Sequence, residues 1–420
     1  MLNRLVHASI KHRFFVVMAV LLMAAGGLYA AFTLPIDAVP DVTNTQVAVN
    51  TSAPALSPGE VESQITRRLE VSLSGIPDVL EMRSISQFGL SQITLIFKDG
   101  TDIYLARQMV GERLTEAKET LPPGIAPPSL APVATGLGEI YYVFVESDKY
   151  SLMERRSMLD WQVRPRLRTV PGIIEVNSFG GEIKQYQVLA DPFRMRSHGV
   201  TLTQLQEALA DNNRNAGGAY IRKENEQQLI QGIGLIESLK DIESIVLSAK
   251  DGVPVLVGDV ATVEFGAALR QGTITKDGKG EAVAAIAVML VGENSRTVTQ
   301  RVKERVAEIQ TELPQGVHLV GFLDRTQLVD ETLHTAGQNL WHGGFLVVLV
   351  LFLFLLQLRA GLIVSSIIPL AMLFALIGMK YFQVSANLMS LGAIDFGLIV
   401  DAAVSIVENC VRRLAEHRHQ

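Results

Sequence analysis

Long apolar runs and alternating segments divide this chain into two kinds of region. Four runs are almost free of charged residues, and each is close to the 20 or so helical residues that cross a hydrocarbon core of about 30 Å. They lie at 14–33, 340–357, 361–379 and 387–408. Because a backbone in lipid must satisfy its own hydrogen bonds, the pattern predicts four transmembrane helices.

Basic residues beside these runs predict the orientation. Arg4 and Arg13 precede the first run, Arg359 lies in a short turn between the second and third, and Arg412 follows the fourth. With four spans these residues share one side, and positively charged loops stay in the cytoplasm. Residues 34–338 are therefore expected on the outer side of the membrane. A cleaved signal peptide is the alternative interpretation of the first run.

Charge and cysteine content narrow the possible classes of protein. The net charge of −6 provides no basic excess for nucleic acid. The single cysteine, Cys410, lies at the end of the fourth run, so the stretch between the first and second runs contains none. That stretch must be stable without disulfides, and its roughly 300 residues are enough for a large hydrophobic core.

The stretch between the first two runs repeats its helix and turn signals. The repeated signals are capping boxes at Ser57 and Ser151, proline turns at 76–79 and 170–173, and Leu-Pro pairs at 121–122 and 313–314. Alternation predicts strands at 45–50, 79–87, 92–97, 140–146, 173–179 and 283–290, with further helices at 102–121 and 295–313. The order predicts a duplicated βαββαβ, ferredoxin-like α+β unit. Two unrelated α+β segments that share turn chemistry are the alternative.

Proline spacing predicts an insertion in the second copy. The two marker prolines are 45 residues apart in the first copy and 143 in the second, so about 98 residues are inserted, at roughly 182–280. A piece of that size is a domain of its own.

The fourth run carries the most informative chemistry. Asp395, Asp401 and Glu408 lie within one predicted membrane helix. A carboxylate at the centre of such a helix costs about 2.5 to 3.5 kcal/mol on insertion scales. On an ideal helix Asp401 and Glu408 lie within about 20° of one face, whereas Asp395 lies about 120° from Asp401. A structural hydrogen-bonding role is the alternative to carriage of protons, and three acids in one helix favour proton carriage.

Two motifs carry a family resemblance. The first is Asp-Phe-Gly-Leu-Ile-Val-Asp at 395–401, followed by Val-Glu-Asn at 407–409, and the second is Leu-Pro-Ile-Asp-Ala-Val-Pro-Asp-Val at 34–42. With these motifs the chain resembles heavy-metal efflux pumps of the resistance-nodulation-division superfamily, of the cobalt-zinc-cadmium resistance type. A nucleotide-binding phosphate loop is absent from the sequence, which agrees with transport driven by an ion gradient.

The resemblance implies a division of the chain and a set of partners. The implied fold is an α-helical membrane bundle of four transmembrane helices plus periplasmic α+β, with two ferredoxin-like porter subdomains and a docking-subdomain insertion. The implied divisions are 1–33 for the N-terminus and first span, 34–132 for the first porter subdomain, 133–181 with 281–338 for the second, 182–280 for the docking insertion, 339–411 for spans two to four, and 412–420 for the start of a cytoplasmic segment. The implied assembly is a homotrimer in the bacterial inner membrane, joined to a periplasmic membrane-fusion adaptor and an outer-membrane channel.

The resemblance also assigns roles to four residues. Asp395, Asp401 and Glu408 fall on the family's proton-relay positions, and Glu139 falls at the start of the strand beside the substrate cleft. A carboxylate there suits a hard or borderline metal cation. A solvated acid at a strand end is the alternative for Glu139. Because members of the family have about twelve spans in two homologous halves, a second half is expected beyond Gln420, with most metal ligands and the basic partner of the relay.

The expected function is proton-driven efflux of divalent heavy-metal cations of the Zn, Co, Cd or Ni type. No cofactor is expected: the proton gradient supplies the energy, the metal ion is the substrate, and the protein is a secondary transporter and not an enzyme. Efflux of organic amphiphiles is the alternative within transport. A membrane-anchored assembly or sensing module without transport is the alternative from another class.

Overall fold

The computed structural model describes most of the chain between the first and third predicted spans. The described residues are 9, 11–34, 43–223, 226–250, 252–270, 272–355, 358–382, 405–407 and 409. They contain a membrane-helix part and three packed units with separate hydrophobic cores.

The first unit is an antiparallel sheet with helices on one face. Its elements are β1 (Gln46–Ser52), α2 (Pro58–Val61), a π-helical turn (Glu62–Thr66), α3 (Arg67–Leu73), β2 (Val79–Gln87), β3 (Leu90–Phe97), α4 (Ile103–Ala117) and β4 (Ser129–Leu130). The strands are ordered β2-β3-β1-β4 across the sheet. Alternate residues of β3 are buried, and Ile93 and Leu95 pack there against Ile65 and Leu69 of the helices. Each such fully buried side chain contributes roughly 1.5–3 kcal/mol.

The second unit repeats this arrangement. Its elements are β5 (Glu139–Glu146), α5 (Leu152–Met158), a π-helical turn (Leu159–Val163), α6 (Arg164–Arg168), β6 (Ile173–Gly180), β13 (Val283–Met289), α11 (Ser295–Glu312) and β14 (His318–Asp324). The order across the sheet is β14-β5-β13-β6. Counted within the unit and starting from β6, this is second, third, first and fourth strand, which is the order of the first unit. Leu159, Leu167, Val298 and Ile309 of the helices are buried against this sheet.

The segment between β6 and β13 folds around a core of its own. Its elements are β7 (Lys184–Ala190), α7 (Pro192–His198), α8 (Leu202–Asp211), β8 (Ala216–Lys223), β9 (Glu226–Gly232), α9 (Leu239–Glu243), β10 (Val246–Lys250), β11 (Val253–Leu256), α10 (Val257–Val260) and β12 (Ala261–Ala267). Strands β7 and β12 pair antiparallel over their full length and connect this segment to the second unit. Leu205, Ile242, Val257 and Val260 are among its buried residues.

The repeated turn signals have the same backbone conformation. Asp78 and Gly172, the third residues of the two proline turns, have φ values of 61° and 94°. Gly124 and Gly316, which follow the Leu-Pro pairs, have φ values of 89° and 92°. A left-handed residue two places after the start of a turn is the requirement of a type II turn, and glycine meets it without steric cost. The two copies thus share turn geometry as well as strand order.

The membrane helices begin and end at places that differ from the apolar runs. Helix α1 (Arg13–Thr33) and the segment Gly361–Tyr381 of α13 (Leu358–Tyr381) are long and apolar enough to cross a membrane. Helix α12 (Arg325–Leu355) starts fifteen residues before the second apolar run, because β14 passes directly into it. The turn predicted at Arg359 is wrong, since this residue lies in the first turn of α13.

Two of the described membrane helices pack closely. Helices α1 and α13 contact each other along their length. A Cβ atom at Gly27 would lie 2.5 Å from Leu373 Cβ and 2.8 Å from the Leu373 carbonyl oxygen, whereas one at Gly26 would lie 3.6 Å from Ile377. Only glycine therefore fits at position 27, as expected where membrane helices approach at small residues.

Candidate functional site

The second sheet has one face covered by helices and a second that we call the open face, where Phe144, Ala282 and Ala284 form a small buried cluster with Ile274. In antiparallel pairs, directly opposite residues point to the same side. The register places Tyr142 opposite Ile286 and Ile286 opposite Asn177, and it places Phe144, Ala284 and Phe179 in the next row. The open face therefore carries successive cross-strand rows that run from β5 across β13 to β6.

One row of the open face has a carboxylate at each end. Val288 of β13 pairs with Glu139 on one side and with Glu175 on the other. Because neighbouring strands are about 4.8 Å apart, the two carboxylate-bearing positions are about 10 Å apart. The row therefore places two acidic positions on one face of the sheet, on either side of Val288. Sequence reasoning missed Glu175, although the polar alternation of 175 and 177 within the predicted strand was available as a signal.

Glu139 is the first residue of β5, and among the described residues its side chain has one hydrogen-bond partner. It is exposed, and its Oε2 accepts a short hydrogen bond from the Tyr142 hydroxyl. Partial burial and then the hydrogen bond and charge of Glu139 raise the pKa of Tyr142 to about 12. Tyr142 thus stays protonated over the physiological range and donates to Glu139, which leaves the other carboxylate oxygen of Glu139 available for a ligand.

No complete metal site occurs in the described part of the chain. Among those residues, no group of three His, Cys, Asp or Glu side chains is close enough to hold a metal ion. Zinc sites in proteins use three or four ligands, so Glu139 can contribute only one ligand to such a site. Its assignment to metal binding stays a prediction.

A polar cluster joins the second unit to helix α12. Asp324 ends β14, and its side chain, 9% exposed, accepts a hydrogen bond of 2.8 Å from Lys303 Nζ and one of 2.9 Å from the Thr326 backbone N–H. Burial alone would raise the pKa of Asp324, but the bonds from Lys303 and Thr326 outweigh it and hold the pKa below its ordinary value. The bond to Asp324 raises the pKa of Lys303. Strand, helix α11 and helix α12 are therefore tied together by one ion pair.

The same junction reaches the start of β5. Arg325, the first residue of α12, is 9% exposed and donates from Nη1 to the Leu137 carbonyl oxygen. Leu137 lies in the 3₁₀ turn Gly136–Gly138, which immediately precedes Glu139. A second ion pair, between Arg296 and Asp330 at 3.0 Å, links α11 to α12 one turn further on. The first turn of α12 is thus hydrogen-bonded to the turn that immediately precedes Glu139.

The C-terminal ends of α1 and α13 are joined by one cation, Lys380. Lys380 Nζ lies 3.9 Å from the centre of the Tyr29 ring and donates to the Thr33 hydroxyl. A cation over an aromatic ring contributes about 0.5–1 kcal/mol where it is exposed. Together with the close approach at Gly27, this contact holds the two helices in one register.

Comparison with known proteins supplies the family. The model of the AcrB/AcrD/AcrF family matches residues 5–420. The chain belongs to this family. It is 48% identical over 424 residues to the cation efflux system protein CzcA of Alcaligenes sp. (strain CT14), covering 99% of this chain and 40% of that protein. It is 37% identical over 425 residues to the cation efflux system protein CusA of Escherichia coli (strain K12), covering 100% of this chain and 40% of that protein.

A solved structure agrees with this assignment. A crystal structure of a heavy metal efflux pump matches with a TM-score of 0.89 and 40% identity, over 97% of this chain and 41% of that chain. The resemblance to heavy-metal efflux pumps of the resistance-nodulation-division superfamily is confirmed. The chain spans about two-fifths of the length of the curated relatives it matches.

The predicted relay residues belong to the fourth predicted span. Asp395, Asp401 and Glu408 lie outside the described residues, as does nearly all of the fourth predicted span. Of the four candidate residues from the sequence, Glu139 alone lies in the described part of this family member. Their role as a relay therefore remains a prediction from the two motifs and from the chemistry of carboxylates in lipid.

Proposed function

We propose that this chain forms part of a proton-driven exporter of divalent heavy-metal cations. The observation that carries the proposal is its 40–48% identity, along almost its whole length, to proteins named for cobalt, zinc, cadmium and nickel resistance. The family consists of transporters of the inner membrane, which agrees with the apolar helices α1 and α13. The chemistry of the open face supports a cationic substrate, since Glu139 and Glu175 are its two acidic positions in one row.

In the proposed mechanism, two sets of carboxylates do different work. Glu139 and Glu175 receive a divalent cation on the open face, where carboxylate oxygens suit borderline metal ions. Asp395, Asp401 and Glu408 take up and release protons in the membrane, where low dielectric raises the cost of their charged forms. The junction at Asp324 and Arg325 carries movement of α12 to the strand that begins with Glu139.

The proposed assembly uses each unit of the fold in a different role. The first unit and the second unit are proposed as porter subdomains within 34–132 and within 133–181 with 281–338, and the segment at 182–280 as a docking subdomain. The complete protein is proposed to act as a homotrimer with a periplasmic adaptor and an outer-membrane channel. The exposed hairpin of β8 and β9 supports self-association, because its apolar side chains Tyr220, Leu229 and Ile230 face solvent in the single chain.

The test is metal flux by the complete protein in vesicles with an imposed proton gradient. We expect flux of Zn²⁺, Co²⁺ or Cd²⁺ that is abolished by Asp401→Asn, which keeps size and hydrogen bonding but removes the titrating group. Glu139→Gln should raise the metal concentration for half-maximal flux, whereas Glu207→Gln, at an exposed acid of the insertion, should leave it unchanged. Unaltered flux in Asp401→Asn would show that the relay is assigned wrongly.

The alternative of organic amphiphile efflux has one observation in its favour. Phe322, which is 62% exposed, packs edge-to-face on the buried Phe144 at 5.5 Å, and Phe179 on the open face is 44% exposed. Aromatic side chains suit apolar substrates. Transport of a fluorescent amphiphile without transport of metal ions would establish this alternative in place of metal export.

A further inference from the structure

A β-bulge places Glu139 on the open face. Tyr141 pairs with Ala287, and Glu139 pairs with Val288, the next residue of β13. Ile140 therefore has no partner in β13, and it is buried with its neighbour Tyr141 in the core under the helices. Regular alternation from Tyr141 would turn the side chain of residue 139 toward that core. The extra residue turns Glu139 to the other side of the sheet.

The backbone at Glu139 is held by its surroundings. A Cβ atom at Gly138, the preceding residue, would lie 3.1 Å from the Met289 carbonyl oxygen, so this part of the turn packs closely against β13. The side chain of Arg325 donates to a carbonyl of the same turn. With the backbone fixed, the place of the carboxylate depends on the side-chain torsions of Glu139. In the described part of the chain, the hydrogen bond from Tyr142 is the one that restrains them.

This hydrogen bond leaves Glu139 with one available oxygen. An ionised carboxylate only accepts, so the Tyr142 hydroxyl is the donor and Oε2 of Glu139 is the acceptor. Both side chains lie on the open face, because the bulge brings residues three apart in the strand to the same side. A cation that binds through Oε1 alone keeps the bond from Tyr142. A cation that needs both oxygens of Glu139 must break it.

Divalent cations differ in this requirement. A zinc ion takes four ligands in a tetrahedral arrangement, so one oxygen from a carboxylate is sufficient. A calcium ion takes six to eight oxygen ligands and commonly uses both oxygens of a carboxylate. We propose that Tyr142 determines metal selectivity by restricting Glu139 to one oxygen, which favours zinc over calcium. The inference rests on the proposed function, in which Glu139 receives the exported cation. Tyr142 acts through Glu139 and is a positioning residue.

The test measures how calcium inhibits zinc export by the complete pump, in vesicles with an imposed proton gradient. Tyr142→Phe keeps the ring and removes the hydroxyl. The calcium concentration that halves zinc flux should fall about tenfold, because calcium no longer has to break a hydrogen bond to a charged group. The zinc concentration for half-maximal flux should change by less than about threefold, with the maximal flux unchanged.

The neighbouring tyrosine supplies a matched control. Tyr141 belongs to the same strand, is 7% exposed and has its side chain in the core on the other side of the sheet. Tyr141→Phe should leave calcium inhibition within about twofold of the parent, since the removed hydroxyl does not contact Glu139. An equal fall in both variants would overturn the inference, because loss of a hydroxyl from β5 would then be the cause. Unchanged calcium inhibition in Tyr142→Phe would overturn it as well.

A double-mutant cycle tests whether Tyr142 acts through Glu139. In a pump that carries Glu139→Gln, adding Tyr142→Phe should not change calcium inhibition further. An effect of the same size in both backgrounds would refute the inference, because Tyr142 would then act independently of Glu139. Zinc export by Glu139→Gln at parental zinc affinity would remove Glu139 as a ligand and overturn the inference while leaving metal export intact. Absence of zinc flux from the parent pump would overturn the proposed function as well.

Discussion

The contact between α1 and α13 offers a sharp prediction, because two adjacent glycines differ in their surroundings. Gly27→Ala should destabilise the helix pair, whereas Gly26→Ala should not. The substitution is chemically the same at both positions and raises intrinsic helix preference equally, by up to about 1 kcal/mol. Any difference between the two variants therefore reports the contact alone.

The geometry gives the size of that difference. At Gly27 the new methyl group would lie 2.5 Å from Leu373 Cβ, against roughly 3.5–4.0 Å for an ordinary carbon contact, so the helices must separate locally by about 1 Å. Overpacking of this kind costs about 1–3 kcal/mol. At Gly26 the methyl group would meet Ile377 at 3.6 Å, an ordinary contact. We expect Gly27→Ala to be less stable than Gly26→Ala by about 2 kcal/mol.

The assay is equilibrium unfolding of each variant in mixed micelles of increasing SDS fraction. Gly27→Ala should unfold at a lower SDS fraction than the parent, and Gly26→Ala at the same or a higher fraction. Gly27→Leu should lower it further, because a larger side chain meets the Leu373 backbone. Coincident transitions for Gly26→Ala and Gly27→Ala would refute the reasoning, since the close approach would then have no energetic consequence.

Three further predictions concern the second unit and the insertion. Asp324→Asn should lower stability by about 1–2 kcal/mol in thermal unfolding, because the Lys303 ammonium loses its carboxylate. The parent protein should lose the same contribution as the pH falls below the ordinary aspartate pKa, because folding lowers the pKa of Asp324. Glu139→Gln should lower the pKa of Tyr142 from about 12, which an ultraviolet titration can measure with Tyr142→Phe as the reference. The raised pKa of Tyr142 contributes stability that is lost as the pH rises past 10, the ordinary tyrosine pKa. Replacing 216–232 by a short glycine-serine loop should reduce self-association in analytical ultracentrifugation.

Elements with a strong period could be predicted from the sequence. The predicted strand at 79–87 has the observed bounds of β2, and those at 173–179 and 283–290 differ from β6 and β13 by one residue. The capping box at Ser151 is confirmed, because its backbone N–H donates to Glu154 at 2.8 Å and its hydroxyl accepts from the Glu154 N–H at 3.2 Å. Such features depend on contacts within a few residues, which the sequence pattern records directly.

Other features depend on tertiary contacts and left little local signal. Strand β4 has only two residues, and β14 shows no regular alternation of buried and exposed residues, because its neighbours determine its pairing. Both first helices contain a π-helical turn that periodicity did not predict. In the first unit this turn lets the buried Thr66 hydroxyl reach those of Ser86 and Ser91, each at 2.8 Å. The hydroxyl cluster exists only once helix and sheet have packed.

The contacts next to Glu139 combine a residue that the sequence indicated with one that only the structure could identify. Glu139 was a candidate from the family resemblance, but the residue that positions its strand, Arg325, is 188 residues from its partner Leu137. No periodicity links such distant positions, and Arg325 precedes the second apolar run by fifteen residues, where the pattern indicated no helix. The membrane helix in fact begins at the strand end, held by the ion pair of Asp324 with Lys303. Because β14 passes directly into α12, displacement of α12 must move β14. Strand β5, which carries Glu139, must then follow, or its pairing with β14 and the bond from Arg325 to Leu137 must break.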